Sequence, residues 1–327
     1  MVDLENMKKQ IKEIVKREDV KYVVGYQEGT YGGRVSPSFA RTPEEVDKFI
    51  FSPLCCNNLV AYLVLEEKLP LPRGTKEDKK KTGIIVKGCD SRAVVQLIQE
   101  KAISRDDVII IGIPCSGVID PKKMKEMLGK ESGRVEVEEN GDNYVIGIDG
   151  KKREVPKEQL MAGNCQTCQY QNPVIYDILV GDEIQEKKEE KYRSAKELEE
   201  KSLPERWDYW QEKFTRCIRC YACRNSCPLC NCQECMAEKL TPVWIRRSVN
   251  CSENTAFHIM RAFHTAGRCV GCGSCERVCP MNIPLTELYK KVEKDVIDLF
   301  DYRPGLDPEK KPLLSTYKVD DLNENIL

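Results

Sequence analysis

Two runs of cysteine repeat one spacing: Cys217-x2-Cys220-x2-Cys223-x3-Cys227-Pro228 and Cys269-x2-Cys272-x2-Cys275-x3-Cys279-Pro280. Ten more cysteines bring the total to eighteen in 327 residues. The N-terminal stretch MVDLENMKKQIKEIVKRE is charged and amphipathic with no apolar signal core, so the chain is expected in the cytoplasm. Thiols there are kept reduced, which rules out a disulfide scaffold and leaves metal binding or catalysis to account for the cysteines. Formal net charge is −1, so no field favours nucleic acid, and no stretch approaches the length of apolar residues that spans a bilayer.

Three thiolates at x2 spacing can wrap one [4Fe–4S] cube, whereas the fourth cysteine of such a run cannot curl back onto it. A zinc module also uses Cys-x2-Cys pairs, but two such runs each ending in Cys-Pro exceed what four-ligand zinc sites require. Residues 212–290 resemble the 2[4Fe–4S] bacterial ferredoxin domain, with an unusually long separation of 41 residues between the runs. The resemblance implies that Cys217, Cys220, Cys223 and Cys279 hold one cluster and Cys269, Cys272, Cys275 and Cys227 the other. Apolar neighbours Ile218, Val270, Val278 and Ile283 are expected to shield both.

Within the separation lie Cys230, Cys232, Cys235 and Cys251, candidates for a further metal site; the alternative is a set of free thiols near the clusters. Cys89, Cys115, Cys165 and Cys168 are candidates for a third [4Fe–4S] cluster, because Cys165-x2-Cys168 is ligand spacing and the other two follow apparent strands. Cys55 and Cys56 could replace one of these ligands or belong to the core. His258 and His264 read as ordinary helix-face residues, and Trp207 and Trp210 as core or packing anchors.

These residues need elements to position them. Residues 1–182 read as an α/β domain with a small parallel or mixed sheet. TPEEVDKFIF opens a helix capped by Thr42, with Pro43 at its first position and Glu45 set for a capping box. NNLVAYLVLEEKL reads as a second apolar helix. GIIVKGCDSRAVVQLIQEK and VIIIGIPCSGVIDPKKMKEML each run from a β-branched strand through a cysteine-bearing turn to a helix, placing Cys89 and Cys115 at the sheet edge where ligands bind. RVEVEENGDNYVIGID reads as a hairpin turning at Asn140, Gly141 and Asp142. Residues 183–206 are nearly all charged or polar and read as an exposed helical linker. Residues 207–300 read as an α-rich, ferredoxin-like (α+β) iron–sulfur domain. The tail, 301–327, has little apolar periodicity and is expected to lie over a partner or to be mobile.

GIPCSGVIDP followed by CQTCQYQNPVIYDILVGD resembles the β-subunit family of deazaflavin-coenzyme-reducing hydrogenases and formate dehydrogenases, over about residues 80–182. That resemblance implies a domain coupling a [4Fe–4S] cluster and FAD to ferredoxin-type clusters, here with the ferredoxin part following rather than preceding it. No Gly-x-Gly-x-x-Gly fingerprint is present, so a flavin (FAD or FMN) is implied by resemblance alone. The combined expectation is an electron-transfer subunit of a multi-subunit oxidoreductase of hydrogenase, formate dehydrogenase or heterodisulfide-reductase type, meeting other subunits and a diffusible electron carrier. The alternatives are a flavin-containing subunit exchanging hydride with a deazaflavin or nicotinamide, and a metal-stabilised interaction module.

Overall fold

The computed structural model describes residues 3–30, 32–64, 80–129, 133–185 and 192–313. Helix α1 (Leu4–Val15) starts at Asp3, whose carboxylate accepts the Asn6 amide at 3.0 Å, and buries Met7, Ile11, Ile14 and Val15 along one face. Strands β1 (Val20–Glu28) and β2 (Val35–Ala40) pair antiparallel. Strand β3 (Lys81–Val86) leads into α2 (Gly88–Gln99), and β4 (Val108–Gly112) is followed by α3 (Pro121–Leu128). A three-stranded antiparallel sheet of β5 (Val135–Asn140), β6 (Asn143–Ile148) and β7 (Lys151–Pro156) comes next, and then the short β8 (Ile178–Leu179). The main sheet has the order β2-β1-β3-β4-β8, with β1, β3, β4 and β8 parallel. Its central strands are apolar almost throughout, as burial on both faces requires, with Ile84, Ile85, Val86, Ile110 and Ile111 all fully buried.

Four helices of seven or more residues follow: α4 (Arg193–Glu199), α5 (Leu203–Thr215), α6 (Cys251–His264) and α7 (Leu285–Phe300). Among the described residues this half contains no strand. Ser202 and Glu205 close a reciprocal capping box on α5, and Asn250 caps α6 by accepting the Glu253 amide at 2.9 Å. Phe214, Phe257, Ile283, Leu285 and Tyr289 pack with four buried cysteines into a core of its own.

Several local expectations change. Thr42 makes no side-chain cap; the Glu45 carboxylate takes the Arg41 amide at 2.6 Å, and the helix is one turn, Pro43–Val46. Instead of a long apolar helix, Asn58 caps a single 3-10 turn, Leu59–Tyr62. The end of that segment, the lysine-rich stretch up to Lys79 and tail residues 314–327 lie outside the described residues. The expected free linker is docked: α4 buries Ala195 and Leu198, and Glu199 pairs with Lys291 at 2.9 Å and Lys294 at 3.1 Å on α7. The start of the tail also packs on its own chain, because Tyr302 and Pro304 are buried.

Arg92, 1% exposed, explains that docking. Its Nε and Nη2 donate to the Pro304 carbonyl at 3.2 and 2.7 Å, its Nη1 donates to Val270 O at 3.1 Å, and its guanidinium stands 3.9 Å from the Tyr170 ring centre. Gly305 has φ +71°, and a Cβ there would meet Arg92 O at 2.2 Å, so the chain passes this helix only as glycine. One buried guanidinium thus ties α2 to both the second cysteine run and the tail. Arg92→Leu should cost about 2–5 kcal/mol by leaving two interior carbonyls without donors. A thermal midpoint equal to that of the wild type would refute the tie.

His258 is 1% exposed, with both ring nitrogens unpartnered, and its ring stacks on Phe214 at 4.7 Å. Burial, with Arg261 and Arg219 nearby, lowers its pKa from 6.5 to about 3. The unfolded chain therefore binds a proton between those values that the folded chain refuses, and stability falls by about 1.4 kcal/mol per pH unit as pH drops below 6.5. His258→Phe should flatten the thermal midpoint between pH 6.5 and 5, and an unchanged slope would argue against a buried neutral imidazole.

Candidate metal centres

The two cysteine runs fold alike for a backbone reason. Arg219 and Tyr221 in the first run, and Gly271 and Gly273 at the same places in the second, all have left-handed φ of 54°, 57°, 68° and 69°. That conformation is free for glycine and costs about 1 kcal/mol for other residues. In the first run it is secured by Arg219, whose Nη2 donates to Arg246 O at 2.6 Å and Ser248 O at 2.8 Å. The double turn gathers three thiols on one side and aims amides at sulfur: Arg219 N donates to Cys217 Sγ at 3.4 Å, and Gly271 N does the same for Cys269. A helical turn then follows in each run, Ala222–Asn225 and Ser274–Arg277, and leads to the fourth cysteine.

That fourth cysteine faces the other run. Cys279 lies close enough to Cys217 and Cys223 to raise their pKa values, and Cys227 lines one cavity with Cys269, Cys272 and Cys275. Cys89, Cys115, Cys165 and Cys168 line a second cavity, together with Cys272. Cys89 sits in the first turn of α2 rather than in a loop; Cys115 follows β4, its amide bonded to Gln171 O at 2.9 Å; Cys165 and Cys168 flank the end of a helical turn, Gly163–Gln166.

Burial pushes these thiols up: Cys115 and Cys269 to about 12, and Cys223 to about 11. Thiols so crowded ionise only against strong positive charge. Lys87, Arg92, Arg277 and Lys290 line the Cys89 cavity and Arg261 the Cys227 cavity, so cations surround both. Among the described residues, no three or more His, Cys, Asp or Glu side chains converge on a point that one ion could occupy. Four sulfurs standing around a cavity, with amides directed at them and cations in the lining, fit a [4Fe–4S] group better than a zinc ion.

Two contributors were not evident in the sequence. Arg277, 9% exposed, donates to Cys272 O at 2.8 Å, Cys56 O at 2.8 Å and Asn164 Oδ1 at 3.1 Å. Lys87 is buried at the mouth of α2, paired with Asp90 at 2.7 Å and donating to Asn57 O at 3.0 Å and to the Tyr26 hydroxyl. Burial alone would lower its pKa, but Asp90 and Tyr26 hold it well above the ordinary value. The only sequence signal for Lys87 was an acid three positions on, at a helix start.

Other expectations are corrected. Cys55 is fully buried in the sheet core, its thiol directed at Ile50 O and pushed up to about 12, and neither it nor Cys56 lines the Cys89 cavity. Val270 and Ile283 are buried beside the runs, but Ile218 and Val278 are 52% and 37% exposed and shield little. Cys230, Cys232 and Cys235 line a third cavity, of about 160 Å³, whereas Cys251 is held apart at the start of α6, with its thiol toward Gln211 O on α5. Trp210 stacks on Phe214, while Trp207 is exposed.

Comparison with known proteins finds two family models that match parts of the chain. Residues 79–195 match the model of the C terminus of the coenzyme F420 hydrogenase/dehydrogenase β subunit, and residues 216–284 match that of a 4Fe-4S dicluster domain. The F420-dependent formate dehydrogenase subunit β of Methanocaldococcus jannaschii is 28% identical over 293 residues, covering 72% of this chain and 76% of that protein. The F420-dependent formate dehydrogenase 1 subunit β of Methanococcus maripaludis is 28% identical over 295 residues, covering 72% and 75%. A chain of the F420-reducing [NiFe] hydrogenase complex of Methanosarcina barkeri aligns at 15% identity and TM-score 0.38, over 50% of this chain and 59% of that one. Among the described residues no helix is long and apolar enough to cross a membrane. The chain thus carries a region that matches the C terminus of the coenzyme F420 hydrogenase/dehydrogenase β subunit, followed by a 4Fe-4S dicluster domain, the make-up of an iron–sulfur electron-transfer subunit of an oxidoreductase complex.

Proposed function

We propose that this chain carries electrons in the cytoplasm between the catalytic subunit of a formate dehydrogenase or hydrogenase and a second carrier, through three [4Fe–4S] sites in line. Cys217, Cys220, Cys223 and Cys279 would hold the first, Cys269, Cys272, Cys275 and Cys227 the second, and Cys89, Cys115, Cys165 and Cys168 the third. The observation that carries this reading is Cys272, which lines both the second and the third cavity, so the two share a wall. Cys223 of the first set is likewise a near neighbour of Cys275 in the second. A bound [4Fe–4S] group supplies one-electron chemistry at a potential set by burial and by hydrogen bonds to its sulfurs. The chain's part is to hold the spacing, exclude water with Val270 and Ile283, and direct the Arg219 and Gly271 amides at cysteine sulfur.

A flavin is supported by a cavity of about 300 Å³ that shares Cys115 with the third set. Leu4, Phe51, Pro53, Pro114, Val118 and Ile184 wall it, which suits a flat ring system. Glu138, Glu139 and Asp182 line it too, so a phosphate is disfavoured there and an FAD or FMN would enter ring first. A bound flavin converts between hydride and single electrons, which would let this end of the chain meet a deazaflavin or nicotinamide carrier.

Cys279→Ser should weaken the spectroscopic signal of the cluster at Cys217, Cys220 and Cys223, although it lies in the other run; loss confined to the Cys269 cluster would refute cross-ligation. Changing Cys115 and Cys168 together to serine should remove about four iron atoms per chain, and an unchanged iron count would sink the third site. Anaerobic pull-down should recover a dehydrogenase or hydrogenase catalytic subunit, and acid treatment of the complex should release flavin. A preparation that releases none removes the flavin and leaves the relay.

A further inference from the structure

We propose that Cys230, Cys232 and Cys235, with His264 as the fourth ligand, form a fourth iron–sulfur site. All four line the cavity of about 160 Å³, larger than the cavities of about 40 and 30 Å³ bounded by the Cys89 and Cys227 sets. The ligand pattern repeats that of the ferredoxin-type sets: three thiols from one short run and a fourth donor from a distant segment, here the end of α6. Sequence proximity had suggested Cys251, but it points to α5 instead.

The lining independently calls for a negative, hydrogen-bond-accepting guest. Arg261, 6% exposed, lines this cavity, and its Nε has no hydrogen-bond partner. A buried guanidinium N–H without an acceptor is costly, and a cluster sulfide would supply one. Arg224 and Arg268 line it as well, so three guanidinium groups face thiolates whose net charge with bound iron and sulfide is negative. Those two arginines carry acidic partners of their own, Glu238 at 2.7 Å and Glu100, while the Arg261 guanidinium reaches Cys230 from the same wall. Cys232 is exposed and would oxidise if idle. Its neighbour Cys230 stands within hydrogen-bond reach of Cys227 in the second set, so a cluster here would join the relay at the surface, away from the flavin cavity.

The inference rests on the relay reading only in taking Cys227 as a cluster ligand. The test uses the full chain reconstituted anaerobically, with iron, acid-labile sulfide and zinc counted and Mössbauer spectra recorded. Wild type should hold about sixteen irons, and Cys232→Ser with Cys235→Ser about twelve; Cys230 is left intact because it touches Cys227. His264→Ala should leave a three-iron cluster with its own paramagnetic signal, and His264→Cys should restore four irons at a lower potential. Cys251→Ser should leave the count unchanged. Equal counts in wild type and the double variant overturn the site, as does one zinc per chain lost in that variant. A loss of four irons in Cys251→Ser overturns His264. A wild-type count of about eight that falls by four in the double variant would sustain this site and refute part of the relay.

Discussion

Arg277 donates at once to Cys272 O, Cys56 O and Asn164 Oδ1, three acceptors from three regions of the chain. Those acceptors belong to the second cysteine run, to the segment after β2 and to the turn that carries Cys165. Their common donor is a buried cation that could not stay buried without them. Because of it, the sheet domain and the helical domain meet with Cys272 on the wall of the Cys89 cavity. Arg92 repeats the device on the far side of α2, reaching Val270 and Pro304. These directional bonds add to the apolar packing of Leu229 and Val270 against the sheet core, and they set register and spacing more sharply than that packing alone would.

The same constraint governs the cysteine sites. Buried thiols resist ionisation, and here burial holds them at about 11 to 12. A site of this kind favours a guest whose positive metal core makes thiolates stable, and whose residual negative charge suits the surrounding Lys87, Arg277, Lys290 and Arg261. Left-handed turns, made with glycine in one run and with an anchored Arg219 in the other, set the local spacing of the thiols. The cavity beside Cys230, Cys232 and Cys235 is likewise lined by guanidinium groups but opens to the surface, where Cys232 is exposed.

Much of this was legible in the residues. The doubled Cys-x2-Cys-x2-Cys-x3-Cys-Pro spacing is local, and a local spacing constrains which thiols can share a guest whatever the fold around them. Strands β3 and β4 were readable because central parallel strands must be apolar on both faces, and the β5–β6 hairpin because its turn residues are specific. The failures were also local signals outvoted by context. Ile218 and Val278 looked like shielding yet are exposed, while Cys55, readable as either ligand or core, belongs to the sheet core. The charged stretch before α5 looked like a free linker because charge reads as exposure; Glu199 instead meets two lysines spaced along one face of α7.

By itself, then, the sequence determined the chemistry: reduced thiols in numbers and spacings that suit iron–sulfur groups, on a sheet edge and in two matched runs. Only the tertiary structure decided adjacency. That Cys272 lines two cavities, and that His264 and Arg261, but not Cys251, line the cavity beside Cys230, Cys232 and Cys235, are facts about segments far apart in the chain. Spacing along a backbone limits local geometry to within a turn or two, whereas contacts between distant segments depend on how whole elements pack, and here that packing is fixed by a few buried cations that no short motif announces.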